Sequence, residues 1–368
     1  MIVHGFTPGS MLLGTMIPIP KSKKQSLCKS DNYRAIALSS IFSKVLDWVI
    51  LFKEEKSLQS SKLQFGFKIG VSTTHCTFAM LENIKYYNSN HSNVFVLMLD
   101  ATKAFDRVRY CKLFRKLLHR KMSPLILRLL IFMYTNQELQ VKWSGSMSDK
   151  FNVSNGVKQG GVVSPILFAV YMDDLLMRLE KSGYGCHMGE NFTGGLAFAD
   201  GLTLLSPTRH GLKQMVSICE NYASEFDIKF NGSKSQLLAF KGRDCCLPEK
   251  GINVGGVDLN YTCSAVHLGH TVNSTKTGDL IKAGQNSFWR SFNLFISDYG
   301  HIHSFLKNKL FVQYFCSFYG ASLWAHHSAE FNNICVAWRK AIRQVWRIPP
   351  HTHCNIVASL SSQTPVDI

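Results

Sequence analysis

Acidic residues are scarce in this chain: 24 Asp and Glu stand against 41 Lys and Arg over 368 residues, a formal net charge of +17. The excess is spread along the sequence, which points to a polyanionic partner, nucleic acid ahead of a membrane surface. The plainer alternative is charge that serves solubility. The sequence also lacks any CxxC pair, and its 11 Cys are an odd number for a closed disulfide framework. A reduced intracellular setting, nuclear or cytoplasmic, follows from that usage. The adjacent Cys245 and Cys246, and the cluster His351, His353 and Cys354, lack zinc spacing and read as structural or incidental unless a further segment supplies ligands. No basic start followed by an unbroken apolar core marks a secretory signal. "PLILRLLIFMY" and "PILFAVYM" are too short to span a bilayer, so no membrane is expected. Repeats and low-complexity tracts are missing too.

What is present is a globular composition, 46% hydrophobic and 18% charged, long enough for two or three subdomains. "MIPIPKSKKQ" reads as a strand running into a basic loop, "SKVLDWVILFKEEK" as a helix, and "QFGFKIGVST" as a Gly-punctuated basic loop. The run "VFVLML", residues 94–99, has the length of a strand buried on both faces and delivers Asp100 at its tip. Tyr110, Leu113, Phe114, Leu117 and Leu118 recur at helical spacing. Ser123 before Pro124, and Ser164 before Pro165, are start signals for two further helices. "GGLAFA", an Asp200–Gly201 turn and "LTLLS" predict a hairpin, because Gly takes positive φ without steric cost. A helix through Leu212, Met215, Val216, Cys219, Ala223 and Phe226 follows, then a hairpin-like pair around Asn231 and Gly232. Strands interleaved with helices make this an α+β unit. Beyond about residue 270 the pattern is helical and aromatic-rich, with Arg339, Lys340, Arg343 and Arg347 on one helical face that tracks phosphates or is simply solvated.

Two apolar strands therefore each present a carboxylate, Asp100 and Asp200, inside a basic protein. Carboxylates facing a polyphosphate make chemical sense when Mg²⁺ or Mn²⁺ lies between them; without metal they repel the substrate. Two unrelated turn-forming Asp residues are the ordinary reading of the same pattern.

The order of neighbouring stretches favours the first. "NYRAIALSSIFSKVLDWVI", "QFGFKIGVSTTHC", "VFVLMLDATKAFDRV", "NGVKQGGVVSPILFAVYMDDL", "LAFADGLTLL", "FDIKFNGSKSQLLAF" and "VHLGH" occur in sequence. Together they resemble the reverse transcriptase domain of non-LTR, LINE-type retrotransposons, strongly over residues 12–270 and more loosely beyond. The resemblance implies a right-hand polymerase fold, with fingers over 1–93, palm over 94–272 and a helical thumb over 273–368. It implies synthesis of DNA on an RNA template, from a DNA primer and deoxynucleoside triphosphates, with two Mg²⁺ or Mn²⁺ ions.

Residue by residue, Asp100 matches the first metal-binding carboxylate, assisted by the Ala101 carbonyl, and Asp200 matches the second. Phe105 matches the bulky residue that screens the sugar 2′ position, and is equally an ordinary core aromatic; Asp106 reads as structural. Arg34 matches the arginine that grips the triphosphate, and Lys21 assists from a run shared with Lys23 and Lys24. Gln159 and Gly160 match the block lining the nucleotide pocket, where Gly admits close backbone approach. Lys234 resembles a lysine near the triphosphate that donates a proton.

Three departures stand out. Phe198, Ala199, Asp200 and Gly201 occupy the place of an aromatic, Ala and two Asp; Val71 stands where a basic residue is common, and Ala35 where Pro is usual. An Asp–Gly pair still closes a hairpin, but losing one preorganised electrostatic group commonly costs on the order of 10²–10³ in rate. The chain opens inside the fingers-like region, without a stretch resembling an endonuclease, and ends soon after the thumb-like helices. The expectation is a truncated, decayed copy with impaired synthesis; the alternative is an inactive nucleic-acid-binding remnant.

Overall fold

The computed structural model describes residues 1–22, 26–242, 251–274, 279–315 and 318–361; Lys23, Lys24, Cys245 and Cys246 lie outside the described residues. The chain divides into two compact units, Met1–Tyr261 and Thr262–Ile368.

In the first unit, β1 (Leu13–Pro20) pairs antiparallel with β2 (Tyr33–Leu38) and parallel with β4 (Glu138–Trp143). Pro18 and Pro20 lie beyond Met16, the last residue that β4 pairs, where a missing N–H disturbs one neighbour only. The second sheet runs in the order β7 (Gln236–Phe240), β3 (Val94–Leu99), β6 (Gly201–Ser206), β5 (Gly195–Phe198), all antiparallel. β3 sits inside this sheet and its side chains are buried at five of six positions, as its unbroken apolar run predicts. β7 corrects one sequence expectation. The stretch around Asn231 and Gly232 is not a hairpin: it turns through a 3₁₀ segment, Phe230 bridges Ala101, and Gln236–Phe240 pairs with β3.

Helices α1 (Ile41–Lys53), α2 (Thr73–Ser89), α3 (Tyr110–His119), α4 (Pro124–Thr135), α5 (Ser164–Glu180) and α6 (Arg209–Phe226) complete the unit. Both start signals hold, though neither serine caps through its side chain. The start of α5 is served from a distance: the Asp47 carboxylate of α1 accepts from Val162 N at 3.2 Å. Burial raises the pKa of that carboxyl, and a negative charge at a helix N-terminus is favourable.

The core joins β3 to α3, α5 and α6 through Leu97, Leu99, Leu113, Phe168, Tyr171, Tyr222 and Phe226. A buried amine sits within it. Lys116 Nζ donates to the Tyr171 carbonyl and the Tyr222 hydroxyl, both at 2.6 Å, lies 2.9 Å from Asp174, and stands 4.3 Å over the Phe226 ring.

In the second unit, β10 (Ser264–His267) and β11 (His270–Asn273) form a hairpin, after which come α7 (Asp279–Tyr299), α8 (Ser304–Leu310), α9 (Ala329–Trp346) and α10 (Cys354–Ser361); β8 (Ile252–Val254) and β9 (Val257–Leu259) end the first unit. Within the aromatic-rich stretch after residue 304, α8 passes into a π-helical turn at Phe311–Phe315, and Ala321–Leu323 is a 3₁₀ turn. The basic face of α9 is also less free than expected. Arg343 donates through Nε and Nη2 to the Thr352 carbonyl at 3.1 and 2.7 Å, and Arg347 Nη2 donates to the Gly300 carbonyl at 2.7 Å. Two of its four cations are thus turn clamps, and among the described residues no group of three or more His, Cys, Asp or Glu side chains is placed to hold a metal. No described helix is long and apolar enough to cross a membrane.

Lys116 yields a pH test. Burial lowers its pKa from 10.5 to about 8, with Asp174 opposing. Between those values the unfolded chain binds the extra proton, so stability from this group rises with pH across the window. Thermal denaturation between about pH 8 and 9.5 should show a component rising by roughly 1–2 kcal/mol that Lys116→Met removes. An identical pH slope in the variant would refute it.

Candidate functional site

β3 and β6 pair with Leu99 opposite Leu202, so the next positions, Asp100 and Gly201, face each other at the sheet edge. β5 and β6 pair through Phe198 and Gly201, which leaves Ala199 and Asp200 as the two turn residues. The expected Asp200–Gly201 turn is therefore displaced by one residue. The left-handed position is Ala199, at φ +55°, and Gly201 is not left-handed but opens a strand. An added Cβ at Gly201 would meet nothing closer than the Phe198 carbonyl at 3.5 Å, so glycine there answers no conformational need.

The turn is held from outside the sheet. Gln64, fully buried, accepts through Oε1 from Ala199 N at 3.2 Å and Gly66 N at 2.9 Å, and its Nε2 donates to the Ala199 carbonyl at 3.4 Å. Phe65 N donates to Ala197 O at 2.7 Å and Ala197 N to Leu63 O at 2.9 Å, so residues 63–66 run beside β5 as an extra strand-like segment. A Cβ on Gly66 would lie 2.4 Å from Ala199 N. "QFGF" reads in the sequence as a loop; no periodicity of its own signals this docking.

A cavity of about 820 Å³ opens in front of the turn, and all nine residues singled out from the sequence line it: Lys21, Arg34, Asp100, Ala101, Phe105, Gln159, Gly160, Asp200 and Lys234. Asp200 is half-buried and its pKa is raised, by burial first and by the Asp100 charge as well, with its own backbone N–H and Arg34 opposing. Ala101 is skipped by the local ladder: Thr102 N donates to Lys229 O and Asn231 N to Asp100 O, at 2.7 and 2.8 Å, which leaves the Ala101 carbonyl outside that exchange.

The basic lining is partly engaged. Lys234 Nζ stands 4.0 Å from Asp100, both exposed, a contact of little energetic weight. Lys21 Nζ donates to the Asp31 carbonyl at 2.7 Å, and Lys103, which the sequence did not single out, pairs with the Asp31 carboxylate at 2.8 Å and holds it below the usual carboxylate range. Gln159 Nε2 donates to Asp106 Oδ1 at 3.3 Å, and Asp106 lines the same cavity. Gly160, at φ +112°, would place a Cβ 2.7 Å from the Ala37 carbonyl; here only glycine fits. Phe105 stacks on buried Phe168 at 4.7 Å and 16°.

With this geometry in view, comparisons with known proteins give a consistent result. Residues 19–272 match the family model described as reverse transcriptase (RNA-dependent DNA polymerase). The chain is 26% identical over 242 residues to a retrovirus-related Pol polyprotein from the type-2 retrotransposable element R2DM of Drosophila melanogaster, covering 65% of this chain and 22% of that protein. It is 26% identical over 282 residues to the RNA-directed DNA polymerase from the mobile element jockey of Drosophila funebris, covering 72% and 29%. The chain thus spans well under half the length of the curated relatives it matches. Among solved structures, Candida albicans telomerase in complex with a telomeric RNA fragment aligns with a TM-score of 0.54 at 11% identity, over 97% of this chain and 67% of that one. Candida tropicalis apo telomerase gives 0.52 at 13%, over 96% and 60%. At such identity the likeness bears on the fold alone, and that fold is the right-hand polymerase architecture.

Glycine substitutions separate the two kinds of position. Gly201→Ala and Gly201→Asp should fold with stability within about 1 kcal/mol of the unmodified chain, since glycine in a strand carries an entropic cost. Gly160→Ala should lose about 1–3 kcal/mol. Urea denaturation checks both; equal losses at the two positions would contradict the assigned backbone geometry.

Proposed function

The chain belongs to the reverse transcriptase family, with non-LTR retrotransposon proteins as its relatives, and from that premise we propose that its cavity is a nucleotidyl-transfer site for DNA synthesis on an RNA template. Fingers over 1–93, palm over 94–272 and thumb over 273–368 are the corresponding division. The observation that carries this reading is the convergence of Asp100 and Asp200 with Arg34, Lys21, Gln159, Gly160, Phe105 and Lys234 on one cavity.

The donor set suits hard cations. Two carboxylates and the Ala101 carbonyl supply oxygen ligands, and among the described residues no Cys or His lines the cavity. Asp100 and Asp200 would hold Mg²⁺ or Mn²⁺; such ions, when bound, neutralise phosphate charge and favour ionisation of the attacking hydroxyl. Burial first, and the Asp100 charge in addition, raise the Asp200 pKa, and a cation bound there would relieve that repulsion. In the reaction, the primer 3′-hydroxyl gives its proton to water, its oxygen bonds the α-phosphorus of a deoxynucleoside triphosphate, and the α–β phosphoanhydride bond breaks so that pyrophosphate departs. Arg34 and Lys21 bind the triphosphate, Phe105 faces the sugar 2′ position, Gly160 admits the substrate to the backbone, and Lys234 delivers a proton from Nζ to the leaving pyrophosphate.

Gly201 sets the level of activity. It stands one register step beyond the last ladder pair, Leu202 and Leu99, and so across from Asp100, at the place where the family pattern carries a second adjacent Asp, so we assign impaired synthesis to this chain. The same observation favours a second reading, a remnant that binds primer–template in its basic cavity without extending it.

Primer extension on an RNA template with Mg²⁺ or Mn²⁺ tests the assignment. The unmodified chain should give little product, Gly201→Asp about 10²–10³-fold more, and Asp100→Asn in that background none. Robust synthesis by the unmodified chain, abolished by Asp200→Asn, sinks the impairment. Salt-sensitive primer–template binding with no extension by Gly201→Asp favours the remnant.

A further inference from the structure

Phe67 lines the candidate cavity, yet nothing in the nucleotide chemistry above uses it. Its backbone is left-handed, at φ +62°, a conformation that is uncommon for any residue with a side chain and a true outlier for a bulky one. Strain of this kind persists where surrounding structure over-determines it, and it concentrates at functional sites. The cause here is visible. Gln64 Oε1 accepts from both Ala199 N of the hairpin turn and Gly66 N, and with Gly66 pressed against the Ala199 backbone the chain leaves the clasp through Phe67.

The ring that this conformation presents is not idle. Phe67 meets Phe105 edge-on, with centroids 6.3 Å apart and an interplanar angle of 88°, a favourable aromatic geometry. Phe105 is stacked on buried Phe168 by one face. Phe105 thus has a fixed support in the core and a second contact with Phe67, which is itself 39% exposed. The second contact comes from the segment that holds the Asp200 turn, so carboxylate and aromatic wall share one anchor.

We propose that Phe67 is a specificity-determining positioning residue: it fixes the orientation of Phe105 in the cavity and so sets the discrimination between deoxyribo- and ribonucleoside triphosphates. This rests on Phe105 being the residue that faces the sugar. Removing the Phe67 ring lets Phe105 turn away from the 2′ position and admits a 2′-hydroxyl.

The test reads binding rather than turnover, so it applies whatever the level of synthesis. A fluorescent deoxynucleoside triphosphate bound to the full chain with primer–template and Mg²⁺ is displaced by unlabelled deoxy- or ribonucleotide, and the ratio of the two affinities is measured. The unmodified chain should prefer the deoxynucleotide, and Phe105→Ala should erase the preference. Phe67→Ala should reduce it about two- to tenfold, the range expected for loss of one aromatic pair, and Phe67→Tyr should retain it. Phe67→Gly should reduce it as Phe67→Ala does while leaving the melting temperature unchanged or raised, because glycine adopts the left-handed backbone freely. A ratio intact in both Phe67→Ala and Phe67→Gly, with Phe105→Ala still erasing it, overturns the role of Phe67 alone. Absence of any preference in the unmodified chain overturns the sugar-facing role of Phe105 and this inference with it.

Discussion

The antiparallel register of β3 and β6, Leu99 against Leu202, is the constraint from which the candidate site follows. Both strands are buried along nearly their whole length and both reach the sheet edge at the same place. With both faces covered, the ends of the apolar runs set the register: a slip of one residue would draw Asp100 or Asp200 toward the core, where a carboxylate without a partner is strongly disfavoured. The hydrophobic effect along six residues of each strand thus sets two negative charges near one another at the tip. Their repulsion is held in place by packing elsewhere, and it is the physical basis for the raised Asp200 pKa beyond burial itself.

Around this acidic tip the protein arranges a partly neutralised basic cavity. Lys103 is committed to Asp31, and Lys21 to a backbone carbonyl of the same residue, whereas Arg34 stands exposed on β2. The second unit makes the complementary point. Arg343 and Arg347 hold carbonyls that would otherwise end their turns unpaired, so a net charge of +17 overstates the cations free to meet a polyanion. Formal charge is a property of composition; available charge depends on which guanidinium groups the fold has already used.

Much of this was legible beforehand, for identifiable reasons. "VFVLML" declared a doubly buried strand because no alternation interrupts it, and α6 declared itself through apolar residues at three- and four-residue spacing. The ordered motifs brought nine residues to one cavity because motif order tracks the fold of a family. Expectations failed where the deciding partner was distant in sequence. "FDIKFNGSKSQLLAF" has a turn signal between apolar arms, yet the second arm found a better partner in β3. Asp200–Gly201 carries the strongest local hairpin signal, yet the turn closed one residue earlier, because pairing with Phe198 of β5 claims Gly201 as strand. Ser164 looked like a cap, while Asp47, more than a hundred residues away, serves the start of α5.

The sequence by itself determined the α+β class, the family, the strand ends that carry Asp100 and Asp200, and the absence of an acid at residue 201. These depend on residue identity and local periodicity, which a single chain displays without reference to its neighbours. Only the tertiary structure decided that Ala199 takes the left-handed turn position, that Gly201 lies opposite Asp100 with room for a side chain, and that Gln64 grips the turn. It also decided that Phe67 leans on Phe105 from a strained backbone. Each is a contact between segments tens to more than a hundred residues apart, selected by burial and hydrogen-bond satisfaction over the whole unit, which no local window of sequence contains.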